Sequence, residues 1–152
     1  MSNDTGRNVM SRKEKCMLAR EQVFSVLFEM MFTDDSVDDI LDNAEESRMI
    51  IIEDYADKLL NAFIGNSEYV DSVISDNIKG WSISRISKVA LSILRLAVTE
   101  IEYTDTPVSV VINEAVELAK KYATEKEASF VNGVLGSVAK KKESGLKDNA
   151  AE

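Results

Sequence analysis

Apolar positions recur every three or four residues along most of this chain, the spacing of helices rather than strands. Ser11 to about Phe32 carries Cys16, Ala19, Val23, Val26, Leu27 and Met30 on that period. Ser11 reads as an N-cap, and Glu14 three residues on completes a capping-box pattern. A polar break at Thr33 to Ser36 precedes a short acidic helix to about Glu46, with Val37, Ile40, Leu41 and Ala44 on one side. The spacing predicts a third helix over about Ser47 to Ile64, closed by Gly65, and a fourth over Glu68 to about Lys79, closed by Gly80. A fifth starts at Ser82 or Ser84 and reaches about Tyr103. Its apolar face (Ile86, Val89, Ala90, Ile93, Leu94, Ala97, Ile101) is broad enough for the centre of a bundle. Arg95 interrupts that helix, so it sits at a rim or meets a carboxylate. Pro107 opens a sixth helix to about Tyr122, where its missing N–H costs little. Thr124 and Glu127 form a second capping-box pattern before a seventh helix, about Lys126 to Lys141.

With one proline and six glycines in 152 residues, breakers are scarce. The pattern therefore predicts an all-α, compact seven-helix bundle. Residues 11–141 form the helical domain, residues 1–10 a flexible N-terminal arm and residues 142–152 a flexible tail. Gly133 and Gly136 fall inside the last helix, where each costs about 1 kcal/mol relative to Ala. They imply either close backbone packing or a surface kept bare.

Composition narrows the chemistry. Apolar residues make up 45% of the chain, enough for a core. The longest apolar stretch, Ser87 to Val98, is broken by Lys88 and Arg95, and the N-terminus has no apolar export segment. A cytoplasmic protein without a membrane span is the expectation. There is no histidine and one cysteine, Cys16. Zinc clusters and histidine-based nucleophilic catalysis are thereby disfavoured, and no cofactor or enzymatic activity is expected. Net charge is −9, unfavourable for phosphate contact, but it is unevenly spread. Residues 1–20 hold Arg7, Arg12, Lys13, Lys15 and Arg20 against Asp4 and Glu14. Residues 29–77 hold fourteen acids against Arg48 and Lys58.

Two ordered segments, Ile112-Asn113-Glu114-Ala115-Val116-Glu117-Leu118-Ala119-Lys120 and Phe130-Val131-Asn132-Gly133-Val134-Leu135, resemble the signature of the NusB family. Trp81, Arg85, the run Ile93 to Ala97 and Glu100 are similar to a second family segment. Ala19-Arg20-Glu21 followed by Leu27-Phe28 is similar to its first-helix pattern. The resemblance spans about residues 11–141. It implies a helical bundle of two subdomains that binds a short single-stranded boxA-like RNA together with ribosomal protein S10, in an antitermination complex on RNA polymerase. Some members of the family self-associate, so a homodimer is a further expectation. The alternative is a helical protein–protein module or homodimer with little RNA binding of its own.

On that resemblance Arg12, Lys13, Lys15 and Arg20 are the basic RNA face, pairing phosphates or stacking on bases. Cys16, Met17 and Leu18 occupy the positions before Ala19 where the family carries arginines. Tyr122, Lys126, Ser129 and Phe130 surround a second RNA-contact region, with Lys126-Glu127 where an acid and a serine are usual. Phe130 also lies on the apolar stripe, and Tyr122 also suits rim packing. Trp81 and Arg85 are the partner-binding candidates, Trp81 alternatively being part of the core. Ala90 replaces an acid common near that register. Asn113 is expected to bond near its helix start, Glu114 to pair with Arg95 or Lys120, and Asn132 to tie the last helix to a neighbour.

Overall fold

The computed structural model describes residues 9–48 and 51–151. Among them are six α-helices: α1 (Arg12–Glu29), α2 (Val37–Arg48), α3 (Asp54–Asp76), α4 (Lys88–Tyr103), α5 (Val108–Tyr122) and α6 (Glu125–Ala151). A 3-10 turn, Ile83–Arg85, precedes α4. The expected arm lies, apart from Val9 and Met10, outside the described residues. Helix α6 continues past its predicted end near Lys141, through a stretch with no proline and a single glycine, Gly145.

The local starts follow the sequence. The Ser11 side chain accepts the Glu14 N–H at 3.1 Å, and the Glu14 carboxylate accepts the Ser11 N–H, a full capping box. Ser87 caps α4 by accepting the Ala90 N–H at 3.1 Å, and Thr124 caps α6 by accepting the Glu127 N–H at 3.1 Å.

The predicted third and fourth helices are one helix, α3, bent at Asn66 (φ −135°, ψ 21°). Gly65 does not end it. At the bend the Asn66 side chain donates back to the Ala62 carbonyl, one turn earlier, at 2.8 Å. Leu59, Leu60 and Phe63 before the bend and Val70 and Ile74 after it are all buried, so one apolar face continues across it. This helix also starts later than predicted, at Asp54. Gln22 holds the approach to it, donating to the Ile51 carbonyl at 2.9 Å and accepting the Glu53 N–H at 3.0 Å. Gly80, in the following turn, has φ +75°, a conformation that favours glycine.

Helix α4 is central: every position from Ala90 to Ile101 is buried apart from Arg95. The hydroxyls of Ser92 and Thr99 donate to the carbonyls of Lys88 and Arg95, at 2.8 and 2.7 Å, so neither is a buried orphan. Arg95 meets a carboxylate, as one of its two predicted alternatives requires: both Asp71 oxygens accept from it at 2.9 Å. The buried apolar side chains form one cluster drawing on all six helices. The two subdomains implied by the resemblance therefore share a continuous core.

Candidate nucleic-acid interface

Arg12, Lys13 and Lys15 stand exposed at the start of α1. The capping box fixes where the helix begins and so where these three side chains emerge. Lys13 lines a cleft of about 580 Å³ between α1 and α5, which also contains Met17, Leu18, Glu114 and Lys121.

Arg20 departs from the expected basic face. It is buried, and its guanidinium forks onto Glu100 of α4, with Nε at 2.9 and 3.1 Å and Nη2 at 2.8 Å from the carboxylate oxygens. Tyr55 of α3 donates to the same carboxylate at 2.7 Å and shares a 3.0 Å hydrogen bond with Thr106, in the turn before α5. Burial by itself lowers the Arg20 pKa, but the hydrogen bond and charge of Glu100 outweigh it, and the net shift is upward. Burial, foremost, raises the Tyr55 pKa. The physical reason is register. Cys16, Arg20, Val23 and Leu27 repeat at i, i+4, i+7 and i+11, so Arg20 lies on the apolar stripe itself. Both ends of this pair stood in separate sequence motifs, with nothing in either to say that they meet.

Tyr122, at the end of α5, is half exposed. Its ring stacks on Phe24 of α1 with centroids 5.0 Å apart, and its hydroxyl donates to Glu21 at 3.1 Å. Lys121 donates to the same Glu21 oxygen at 2.6 Å, and this hydrogen bond raises its pKa. Lys121 was not singled out in the sequence. Its signal was position: it adjoins Tyr122 and faces the same α1 surface as Lys13.

The first turn of α6 and the segment before α4 form the walls of a second cleft, of about 260 Å³. One wall carries Trp81 and Arg85, the other Lys126 and Phe130. The predicted partner residues and two of the predicted RNA residues thus converge on one site. Trp81 is 57% exposed, so it is not core. Phe130 is half-buried and packs against the core while still lining the cleft. A single carboxylate joins the walls: Glu127 accepts hydrogen bonds from Ser87, the α4 cap, and from Thr124, the α6 cap. The second capping-box pattern is thus only half formed in the expected sense. Nearby, the Lys88 amino group lies 5.5 Å from the centroid of Phe32, a ring 62% exposed. Sequence reading passed over Phe32 because it falls at the end of a helical stripe.

Ser129 faces elsewhere, into an open groove of about 470 Å³ between α5 and α6. Asn113 and Asn132 line it too, from α5 and α6 respectively, and both are exposed. Among the described residues, neither makes the side-chain hydrogen bond expected of it. Glu114 pairs with neither expected cation: Arg95 binds Asp71 and Lys120 binds Glu117 at 3.8 Å, while Glu114 adds its charge to the field at Arg20. A Cβ built at Gly133 or Gly136 meets nothing within 4 Å, which excludes close packing as the reason for either glycine.

Chemically, this surface offers aromatic faces interleaved with cations, and hydroxyl and carboxamide groups in open grooves. Among the described residues no cluster of histidine, cysteine or carboxylate side chains is arranged to hold a metal ion. No helix among them is long and apolar enough to cross a membrane.

The chain is similar to known proteins over most of its length. The profile described as NusB family matches residues 17–140. The transcription antitermination protein NusB of Listeria monocytogenes serotype 4a is 40% identical over 131 residues, covering 86% of this chain and 97% of that protein. Its counterpart in Clostridium acetobutylicum is 42% identical over 132 residues, covering 85% and 95%. A solved structure of the antitermination factors NusB and NusE in complex with dsRNA superposes with a TM-score of 0.74 at 32% identity, covering 86% of this chain and 98% of that one.

Proposed function

The chain belongs to the NusB family of bacterial transcription antitermination factors, and on that premise we propose that it binds boxA-like single-stranded RNA jointly with ribosomal protein S10. One observation carries the reading: Trp81 and Arg85 share a cleft with Lys126 and Phe130. A partner seated on the first pair and a strand held by the second pair lie against each other, so each adds surface for the other. Joint binding of this kind is a coupling free energy, and it acts equally in both directions.

The parts suit single-stranded RNA. Exposed aromatic rings accept unstacked bases, and Arg and Lys side chains interleaved with them follow the phosphates. Lys126, Arg12, Lys13 and Lys15 supply the charge, whereas Arg20 acts from inside as a positioning residue. Tyr122, stacked on Phe24 of α1 and half exposed, offers a further stacking face. Ser129 lies on the far side of the first α6 turn. Recognition involves no covalent step, and the pair assembles into the antitermination complex on RNA polymerase.

The test is an RNA titration at several salt concentrations, with and without S10, on the parent and on Lys126→Glu and Phe130→Ala. The reading requires S10 to tighten RNA binding, and both substitutions to reduce that gain. Should S10 bind without altering RNA retention, the exposed Trp81 and Phe32 favour the second reading, a protein–protein module.

A further inference from the structure

The groove between α5 and α6 is left unused by the cleft that carries the functional reading. Beside the hydroxyls of Ser109 and Ser129, its lining is of three kinds. Asn113 and Asn132 present carboxamides from opposite helices, both exposed and with no hydrogen-bond partner among the described residues. Ile112, Val116 and Ala128 supply apolar surface. Lys120 and Glu125 contribute one charge of each sign, so the groove is close to neutral. A phosphate track is lined by cations, and an apolar peptide groove has no need of paired amides. A neutral slot with apolar walls and groups that both donate and accept matches a flat, uncharged, hydrogen-bonding ligand.

We propose that this groove is a nucleobase subsite, in which Asn113 and Asn132 read the edge of a base in the RNA that the Lys126–Phe130 cleft holds. The inference rests on the RNA-binding reading above and extends it to a specificity element. Continuity supports it: Glu125 and Ser129 face the groove while Lys126 and Phe130, their sequence neighbours, face the cleft. One strand crossing the first turn of α6 passes from one to the other. A carboxamide matches a base edge with one donor and one acceptor, as asparagine does with adenine. Gly133, beside Asn132, is exposed with open space where a Cβ would stand, so α6 offers no side chain there to obstruct the strand.

The experiment compares parent, Asn113→Ala/Asn132→Ala, and Lys126→Glu on two single-stranded boxA-like RNAs. One spans only the cleft and the other is about six nucleotides longer, within the range of single-strand sites. An abasic series then scans the longer RNA. The double asparagine variant is expected to bind the short RNA as the parent does and to lose roughly tenfold on the long one. One abasic position should reproduce that loss and add nothing to the variant, the mark of a shared contact. Equal binding of both RNAs by parent and double variant overturns the inference, even when Lys126→Glu weakens both and the RNA reading stands. If Lys126→Glu also binds both as the parent does, the RNA reading falls with it. Loss of S10 binding by the asparagine variant, with RNA affinity unchanged, assigns the groove to a protein and overturns the nucleobase subsite. Both asparagines are exposed, so the folded state is preserved, which unchanged thermal melting checks.

Discussion

At the start of α1, Arg12, Lys13 and Lys15 reach into solvent, whereas two turns further on the Arg20 side chain is 8% exposed and locked onto a carboxylate from α4. Helix, charge and neighbourhood in the sequence are shared, yet the roles are opposite. The outer cations cost the fold little because water solvates them, and they remain free to meet phosphate. Arg20 has given up water, and its charge is tolerated only because Glu100 and Tyr55 complete the arrangement. A planar fork suits it to that place as a lysine ammonium does not. The difference teaches that a basic run should be divided by register before any of it is assigned to a ligand.

The sharpest break in this comparison comes from Arg20→Ala. Leaving Glu100 buried without its cation should cost about 3–5 kcal/mol, read from the shift in urea midpoint. Replacing both partners by apolar residues of similar volume should cost much less than the two single changes together. A midpoint unmoved by Arg20→Ala would show that the inner half of α1 behaves like the outer half.

Tyr55→Phe removes two hydrogen bonds from the same network and should cost about 1–2 kcal/mol. It should also flatten the alkaline limb of the stability profile. Burial keeps the Tyr55 phenol protonated to higher pH in the folded chain than in the unfolded one. Folded protein then binds more protons, so stability falls as pH rises past the ordinary phenol value of about 10. The variant should lose less over that window.

For the outer half, Arg12→Ala/Lys13→Ala/Lys15→Ala should leave the urea midpoint within about 0.5 kcal/mol of the parent. The slope of log affinity against log salt should shrink by about 2, near 0.7 for each lost phosphate contact on a single strand. Smallest of all, Gly133→Ala should raise stability by about 0.5–1 kcal/mol, since the added methyl meets nothing and the helix gains propensity.

Much of the fold was legible because it is written locally. The Ser11 cap, the Ser36 break, the wide face of α4 and the Pro107 start each depend on residues within a turn or two. The split of α3 was misread because glycine was given its usual weight. The deciding fact was the apolar face carried past Asn66 by Val70 and Ile74, together with the amide that holds the bend. The candidate interface could be read only as separate residues, and register placed Arg20 inside the core and not on the surface. That Trp81 and Phe130 line one cleft depends on how α4 and α6 come together, which no spacing along the chain encodes. The free amides of Asn113 and Asn132 were hidden for the same reason: whether a polar side chain finds a partner is decided in three dimensions.

Glu127 fastens the first turns of two helices at once. Because one wall of the cleft leads into α4 and the other belongs to α6, that carboxylate ties the two walls together. A ligand entering between walls already held together would ask little reorganisation of the protein.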